Sequence, residues 1–233
     1  MNKEVLIERL FQTLISGDRA GARGIVNETI GLGVAAEELL TEIFWPTLDL
    51  IQKLFRADQL SCLAHHFATR MMRSLADQAQ TRLTKSPANG KRIFIVCGGT
   101  EQDELAASMA VDLIESGGFE IAVAGGGVPF DEIMTRVGED RPDILLLFSS
   151  AAKDLPEIRR IIDELHEVNV CPEMQIVVGG GVYARAEGLA EEIGADLYIP
   201  TLGETVSLLT GQNAKRARSD QRTVGRKRRV KVA

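Results

Sequence analysis

The sequence predicts an N-terminal four-helix bundle followed by a doubly wound α/β domain with a five-stranded parallel sheet. Residues 1–85 repeat apolar side chains at helical spacing and contain no convincing strand. From residue 92 onward, short apolar runs alternate with helical segments, as in a parallel sheet covered on both faces. We therefore predict a helical cap, a linker, an α/β domain and a basic tail, at residues 1–85, 86–91, 92–212 and 213–233.

The helical spacing predicts four helices, at residues 2–15, 18–31, 35–55 and 59–84. Pro46 falls inside the third, where it should kink the helix or lie near its start. The fourth is expected to begin near Gln59, capped by Asp58. Its predicted apolar stripe consists of Leu60, Leu63, Phe67 and Met71, with His65 and His66 on either side of it.

The five strands are predicted from apolar runs at residues 92–97, 119–124, 144–149, 174–178 and 196–200. Glycines follow the first, second and fourth runs, at 98–99, 125–127 and 179–181. These loops lie at the carboxyl ends of the strands, where open parallel sheets bind ligands. The glycines therefore indicate either a ligand site or simply tight turns.

Charge and composition favour a soluble globular protein with an unusual C-terminal segment. Residues 213–233 carry nine lysines and arginines against one acid, a charge of +8, so the first 212 residues carry −14 of the total −6. This segment either stays solvated or contacts nucleic acid or an acidic partner. Three widely spaced cysteines and the absence of a long apolar run favour a reduced, cytoplasmic setting without a membrane segment.

Common catalytic and nucleotide-binding motifs are missing from the sequence. It contains no GxGxxG opening the first α/β helix, no GxxxxGK[ST], no CxxC and no HExxH. Its three histidines are His65, His66 and His166. The sequence therefore does not indicate a dinucleotide, nucleotide or zinc site, and we predict a binding protein that is not an enzyme.

Three segments of the α/β region share a characteristic order and spacing: GGFEIAVAGGGVPFDEIM, LLLFSSAAKDLPEIRRIIDEL and QIVVGGGVYARAEGLAEEIGADLYIPTLGETVSLL. Together they resemble the cobalamin-binding module of methionine synthase, of corrinoid proteins in methyltransferase systems and of light-sensing B12-dependent regulators. The resemblance covers about residues 35–210 and implies a flavodoxin-like B12-binding fold with cobalamin as cofactor. It also implies that small residues at the strand ends hold the nucleotide tail; the candidates are Gly125, Val128, Ser149, Ser150, Gly179, Gly180 and Gly181.

The sequence departs from this family where the family motif DxHxxG supplies the lower cobalt ligand. Aligned through the following helix, Glu101 stands for the Asp, Asp103 for the His and Ala106 for the Gly. A carboxylate is a poor substitute for imidazole at this metal, so we expect the lower ligand to be lost. Alternatively, the acids Glu101, Asp103 and Glu104 simply stabilise the first turn of a helix.

The helical cap carries a related pattern. Light-sensing members present Trp, nine residues and Glu-His over the upper face of the corrin; here Phe55 precedes His65-His66 by the same spacing. The resemblance implies that His66 is an upper cobalt ligand, because neutral imidazole suits this class of metal. The alternative is that both histidines lie at the surface or at its boundary.

Three functions follow from this resemblance. The leading hypothesis is a cobalamin- or tetrapyrrole-binding regulatory protein, acting on a protein partner in transcription regulation. The alternatives are a corrinoid carrier subunit of a methyltransferase system and a degenerate module that binds no cofactor. Side chains that fill the slot around Ala106 and Met109 would favour the last. The partner and any homo-oligomer are left open by the sequence.

Overall fold

A computed structural model of the protein describes residues 2–211. Its first part contains five α-helices: α1 (Lys3–Ser16), α2 (Arg19–Gly31), α3 (Ala36–Glu38), α4 (Trp45–Arg56) and α5 (Cys62–Gln80). The strands are β1 (Arg92–Cys97), β2 (Glu120–Gly125), β3 (Ile144–Phe148), β4 (Gln175–Gly179) and β5 (Leu197–Ile199). The remaining α-helices are α6 (Glu101–Ser116), α7 (Phe130–Asp140), α8 (Leu155–Val168), α9 (Gly181–Ala184), α10 (Leu189–Glu192) and α11 (Thr205–Thr210).

The five strands form one parallel sheet in the order β2-β1-β3-β4-β5, which confirms the predicted doubly wound fold. The two outer strands differ. β5 has three residues, whereas β2 has six and its pairing with β1 shifts register between Ile95 and Val96. One face of the sheet packs on α7 and α8 through a core that includes Val96, Leu147 and Ile161.

The chain forms two compact units. Among the described residues, the helical unit comprises residues 2–89, 104–119 and 201–206, and the sheet unit comprises residues 90–103, 120–200 and 207–211. Within the helical unit, α5 packs against α1, α2 and α4. None of the helices among residues 2–211 has the length and apolar character required to cross a bilayer.

The third predicted helix is divided into three segments. After the single turn of α3, Leu39–Phe44 form a π-helix, and α4 then begins at Trp45 with Pro46 in its first turn. The three segments follow one another without a break, and the Trp45 N–H donates to the Leu40 carbonyl. Pro46 therefore lies at the start of α4, directly after the π-helical segment and within a continuous helical stretch.

The predicted apolar stripe of the fourth helix was wrong at Leu63 and Phe67, whereas Met71 is buried as expected. Leu63 and Phe67 are 64% and 42% exposed, whereas His65 is 5% exposed and belongs to the buried face of α5. That face otherwise carries mainly small or flexible side chains: Ala68, Thr69, Met71, Met72, Leu75, Ala76 and Ala79. Asp58 has a left-handed backbone (φ 56°), so Ser61 caps the helix instead and α5 begins at Cys62.

Asp112 makes the stability of the helical unit depend on pH. Its side chain is 8% exposed, and burial, followed by the charges of Asp77 and Glu115, raises its pKa to about 7. An unfolded aspartate ionises near pH 4, so between pH 4 and 7 the folded state binds more protons. Stability should therefore fall as pH rises through this window and level off above pH 7.

We expect the Asp112→Asn variant to be more stable than the wild type at pH 8 by about 1–2 kcal/mol, with the difference shrinking towards pH 4. The amide cannot ionise, so it avoids burying a charge beside two other carboxylates. Urea unfolding at pH 4.5, 6 and 8 measures this difference. Glu120→Gln, an exposed carboxylate, is the control, and parallel pH profiles for wild type and Asp112→Asn would contradict the expectation.

Candidate functional site

The candidate site lies in the sheet unit, where the loops after β1 to β4 leave the carboxyl ends of parallel strands. The first two loops touch through their backbones. A Cβ added at Gly126 would lie 2.5 Å from Gly99 Cα and 2.6 Å from the Gly98 carbonyl oxygen. Only glycine permits this approach.

Asp103 ties the β1 loop to the β3 loop. Its side chain is fully buried; one oxygen accepts a hydrogen bond from Ser150 N–H at 2.6 Å and the other from the Thr100 hydroxyl at 2.5 Å. Thr100 in turn accepts a hydrogen bond from Asp103 N–H at 3.1 Å. Asp103 is therefore more than an acidic residue in a first turn, because it joins two loops through a buried network.

A second carboxylate lies close by. Ser149 is fully buried and its hydroxyl donates to Asp154 Oδ2 at 2.7 Å. A Cβ at Gly98 would lie 2.6 Å from Asp154 Oδ2 and 2.7 Å from Asp103 Oδ2, so the two carboxylates flank this glycine. The hydroxyl of Ser149, a residue predicted to hold the nucleotide tail, thus holds the β3 loop.

The loop after β4 packs on the same residues. Ser149 N–H donates to the Gly179 carbonyl at 3.0 Å, and a Cβ at Gly179 would lie 3.1 Å from the Phe148 ring. Gly180 has φ 104° and ψ 167°, and a Cβ there would overlap the Ser149 carbonyl oxygen. Arg185 donates to the Ser150 carbonyl at 2.5 Å, which fixes the β3 loop from the other side. Gly181 lies beside Arg185 and Ser150.

The remaining predicted residues of the sheet unit lie outside this hydrogen-bonded network. Gly125 has open space where a side chain would extend. Val128 lines a cleft of about 230 Å³ at the carboxyl ends of β1 and β3, together with residues of α8. Glu101 is half-buried at the start of α6. The structure therefore brings Asp103, Ser149, Ser150 and Gly179 to Gly181 into one network, with Gly125 and Val128 in the neighbouring loop.

The predicted residues of the helical unit include a stacked pair. The Phe55 and His65 rings stack with centroids 4.0 Å apart and an angle of 18° between their planes. His66 is exposed, with its ring edge-on to His65 at 5.9 Å. Ala106 and Met109 on α6 are 2% and 0% exposed. Among residues 2–211, no three His, Cys, Asp or Glu side chains are grouped so as to hold a metal ion.

Sequence reasoning missed Thr100, Asp154 and Arg185. A signal for the first was present, because Thr100-x-x-Asp103 has the spacing of a capping box. Asp154 follows Ser149 by five residues in a loop whose backbone folds back on itself, and Arg185 reaches Ser150 from a different loop. Neither pairing has a characteristic spacing in the sequence.

Comparison with known proteins identifies relatives of both parts of the chain. Residues 6–79 match the family model of a B12 binding domain. The chain is 23% identical over 209 residues to dimethylamine corrinoid protein 1 of Methanosarcina acetivorans, covering 89% of this chain and 97% of that protein. It is 28% identical over 127 residues to dimethylamine corrinoid protein 3 of Methanosarcina mazei, covering 54% of this chain and 75% of that protein.

The resemblance to the cobalamin-binding module family is confirmed. The fold agrees with it: the monomethylamine corrinoid protein of Methanosarcina barkeri superposes with a TM-score of 0.71 at 16% identity, covering 88% of this chain and 97% of that one. The family model and the corrinoid-protein relatives accordingly indicate cobalamin as the cofactor. The comparisons favour the corrinoid-carrier alternative over the regulatory sensor, and they give no support for nucleic-acid contact. The basic segment 213–233 lies outside the described residues.

The residues of the site fit a corrinoid only in part. Small residues and backbone groups line the strand ends, as a bulky planar cofactor requires. The position expected to supply a nitrogen ligand holds Asp103, and both oxygens of this carboxylate already accept hydrogen bonds. At the position that the family motif gives to the histidine, the chain therefore has a buried carboxylate that is already engaged by Ser150 and Thr100.

Proposed function

We propose that this protein is a corrinoid carrier, which binds cobalamin and presents it to a methyltransferase partner. The observation that carries the proposal is the extent of the similarity to a dimethylamine corrinoid protein. It runs over 89% of this chain and 97% of the relative, and therefore includes both the helical and the α/β regions. Cobalamin would supply the metal centre for methyl transfer, and the protein would supply its binding and orientation.

The packing of the helical unit also argues against the sensor hypothesis. The resemblance of this unit to the light-sensing members depended on the spacing between Phe55 and His65-His66. Because His65 is buried and stacked on Phe55, this pair serves the packing of α4 against α5. Of the three residues, His66 alone is exposed, and its ring meets the His65 ring edge-on.

The proposed carrier holds cobalamin without a lower ligand from the β1 loop. Asp103 keeps the β1 and β3 loops joined, and Ser149 and Arg185 hold the β3 loop from its two sides. These residues would form a fixed edge against which the cofactor packs. The visible spectrum of the cobalamin-loaded protein should then be that of a corrinoid whose cobalt has no histidine of this loop as its lower ligand.

Reconstitution with hydroxocobalamin tests the proposal. We expect about one cobalamin per chain to stay bound through gel filtration. We also expect the protein loaded with methylcobalamin to lose its methyl group when a corrinoid-dependent methyltransferase and its thiol acceptor are added. The unloaded protein is the control. Elution of all cobalamin separately from the protein would refute cobalamin binding, and bound methylcobalamin that no methyltransferase can demethylate would refute the carrier role.

His66 is proposed as the upper ligand, since its imidazole is exposed. If it binds cobalt, the His66→Ala variant should retain cobalamin but show an altered visible spectrum, because an imidazole is replaced by water. His166→Ala, which removes another exposed histidine on α8, is the matched control and should leave the spectrum unchanged. Identical spectra for His66→Ala and the wild type would exclude this ligand.

A further inference from the structure

Cofactor binding leaves a cluster of three carboxylates on α5 and α6 without a role. Asp77 lies on α5, Asp112 and Glu115 lie on α6, and all three belong to the helical unit. Asp112 and Glu115 are three residues apart, so they share one face of α6. Asp77 and Glu115 are exposed, whereas Asp112 is buried and lies within electrostatic reach of both. This acidic cluster therefore combines one recessed carboxylate with two exposed ones.

The buried carboxylate of Asp112 lacks a partner for its charge. Among residues 2–211, it accepts no hydrogen bond and forms no ion pair. Arg73, a cation that connects α5 to α6, pairs with Glu104 at 3.8 Å instead. Carboxylates are almost never buried unless they are paired or hydrogen-bonded, because an isolated buried charge is costly. The unpaired carboxylate of Asp112 therefore indicates that a ligand completes the acidic cluster.

A ligand can reach the Asp112 carboxylate from solvent. In the described part of the chain, the one unpaired side-chain oxygen or nitrogen that is completely enclosed is the Tyr183 hydroxyl, so the unpaired oxygens of Asp112 keep some accessible surface. Burial, followed by the charges of Asp77 and Glu115, opposes the ionisation of Asp112. A cation bound at this place would favour the ionised form and offset these effects.

The acidic cluster favours a cation, and its form favours an organic one. A metal ion is disfavoured, because no three His, Cys, Asp or Glu side chains within residues 2–211 are grouped closely enough to hold one. A guanidinium is carried on a long stem, offers five N–H donors in a planar fork, and is more weakly hydrated than an ammonium. It can therefore pair with the recessed Asp112 and contact an exposed carboxylate at the same time.

We propose that Asp77, Asp112 and Glu115 form the docking site for an arginine side chain of a partner protein. The guanidinium pairs with Asp112, and its remaining N–H groups donate to Asp77 and Glu115. Residues 1–212 carry a net charge of −14, which favours a partner with a basic surface. The identification of this partner as a methyltransferase rests on the proposed carrier function, whereas the arginine site rests on the acidic cluster alone.

Titration of the full chain with the peptide acetyl-Gly-Arg-Gly-amide tests the site without a partner protein. Carbon NMR resonances of the Asp77, Asp112 and Glu115 carboxyl groups should shift in a saturable way at pH 8. The same peptide with citrulline, which keeps the shape of arginine but lacks its charge, should leave them unshifted. Because the pKa of Asp112 is about 7 in the free chain and pairing favours its ionised form, the arginine peptide should bind about 5- to 10-fold more weakly at pH 6 than at pH 8.

The Asp112→Asn variant should bind the arginine peptide about 10-fold more weakly and without this pH dependence, because it loses the charged partner of the guanidinium. It should fold at least as well as the wild type, since it avoids a buried charge. Asp77→Asn and Glu115→Gln should each weaken binding about 2- to 3-fold, as expected for exposed pairs. Glu139→Gln, which removes an exposed carboxylate from α7, is the matched control and should leave the affinity unchanged.

Three results of these titrations would overturn the proposal. They are the absence of saturable shifts with the arginine peptide, equal shifts with the citrulline peptide, and equal affinity of the wild type and Asp112→Asn for the arginine peptide.

Methyl transfer from the chain loaded with methylcobalamin then tests the partner. The concentration of loaded chain that half-saturates a corrinoid-dependent methyltransferase should rise about 10-fold for Asp112→Asn, with the maximal rate unchanged. The arginine peptide should compete with this docking, and the citrulline peptide should not. Equal half-saturating concentrations for Asp112→Asn and the wild type would refute docking of the methyltransferase at this site. A chain that binds the arginine peptide but retains no cobalamin would refute the carrier function and leave the arginine site standing.

The chain itself contains a competing source of arginine, because residues 213–233 include nine lysines and arginines. Replacing all nine with glutamine in the full chain should leave the affinity for the arginine peptide unchanged. A gain in affinity on this replacement would overturn the proposal, because the occupant of the site would then be the chain's own basic segment.

Discussion

The Gly180→Ala variant is expected to lose at least about 4 kcal/mol of stability, enough to unfold most single domains in part or completely. Two effects combine at this position. The backbone at φ 104° and ψ 167° belongs to a region that only glycine occupies readily. In addition, the new methyl group would overlap the Ser149 carbonyl oxygen, which belongs to backbone and cannot rotate away.

Thermal unfolding monitored by circular dichroism measures this effect. Gly188→Ala is the matched control, because Gly188 also has positive φ (79°) but open space around the added methyl group. Its expected cost is about 1–2 kcal/mol, the ordinary penalty of a left-handed alanine. Similar melting temperatures for the two variants would show that the β3 and β4 loops separate more easily than their packing indicates.

The second large effect is expected for Asp103→Ala, which should lower the free energy of unfolding by about 3 kcal/mol. The variant leaves Ser150 N–H without its acceptor and deprives Thr100 of its partner, both in a buried setting. Asp103→Asn should cost less, because its amide oxygen can still accept one of the two hydrogen bonds. Urea denaturation of the three proteins gives the values.

Glu104→Ala serves as the control for a neighbouring carboxylate. Its side chain is about half exposed and its ion pair with Arg73 is 3.8 Å long, so we expect a change within about 0.5 kcal/mol. An Asp103→Ala variant as stable as Glu104→Ala would contradict the tethering role. It would instead favour the alternative given by the sequence, in which Asp103 merely stabilises the first turn of a helix.

The sheet was predictable because its strands are nearly continuous apolar runs. The predicted run 92–97 coincides with β1, and the others differ from the observed strands by one residue at each end at most. Such runs are assigned as strands, since each is short, rich in branched side chains and bounded by glycine or a helix. The parallel arrangement then followed from their alternation with helices.

The details of the site were less predictable because they depend on contacts between distant loops. Aligning Asp103 with the missing histidine identified a lost ligand, but nothing in the local sequence showed that Ser150, 47 residues away, would take its carboxylate. In α5, the predicted stripe of Leu60, Leu63, Phe67 and Met71 put Leu63 and Phe67 on the buried face, where they do not lie. Burial there follows the neighbours of the helix, and the stack on Phe55 placed a histidine inside.

The two edge strands of the sheet, β2 and β5, help the protein to avoid aggregation. A parallel sheet that is not closed into a barrel presents unpaired backbone groups on its first and last strands, and these can recruit strands from other chains. Here β5 offers only three residues on one side. On the other side, β2 begins with the exposed charge of Glu120, and the register shift opposite Val96 breaks its regular ladder. Both edge strands are therefore poor templates for intermolecular strand pairing, even though the strands between them are among the most apolar segments of the chain.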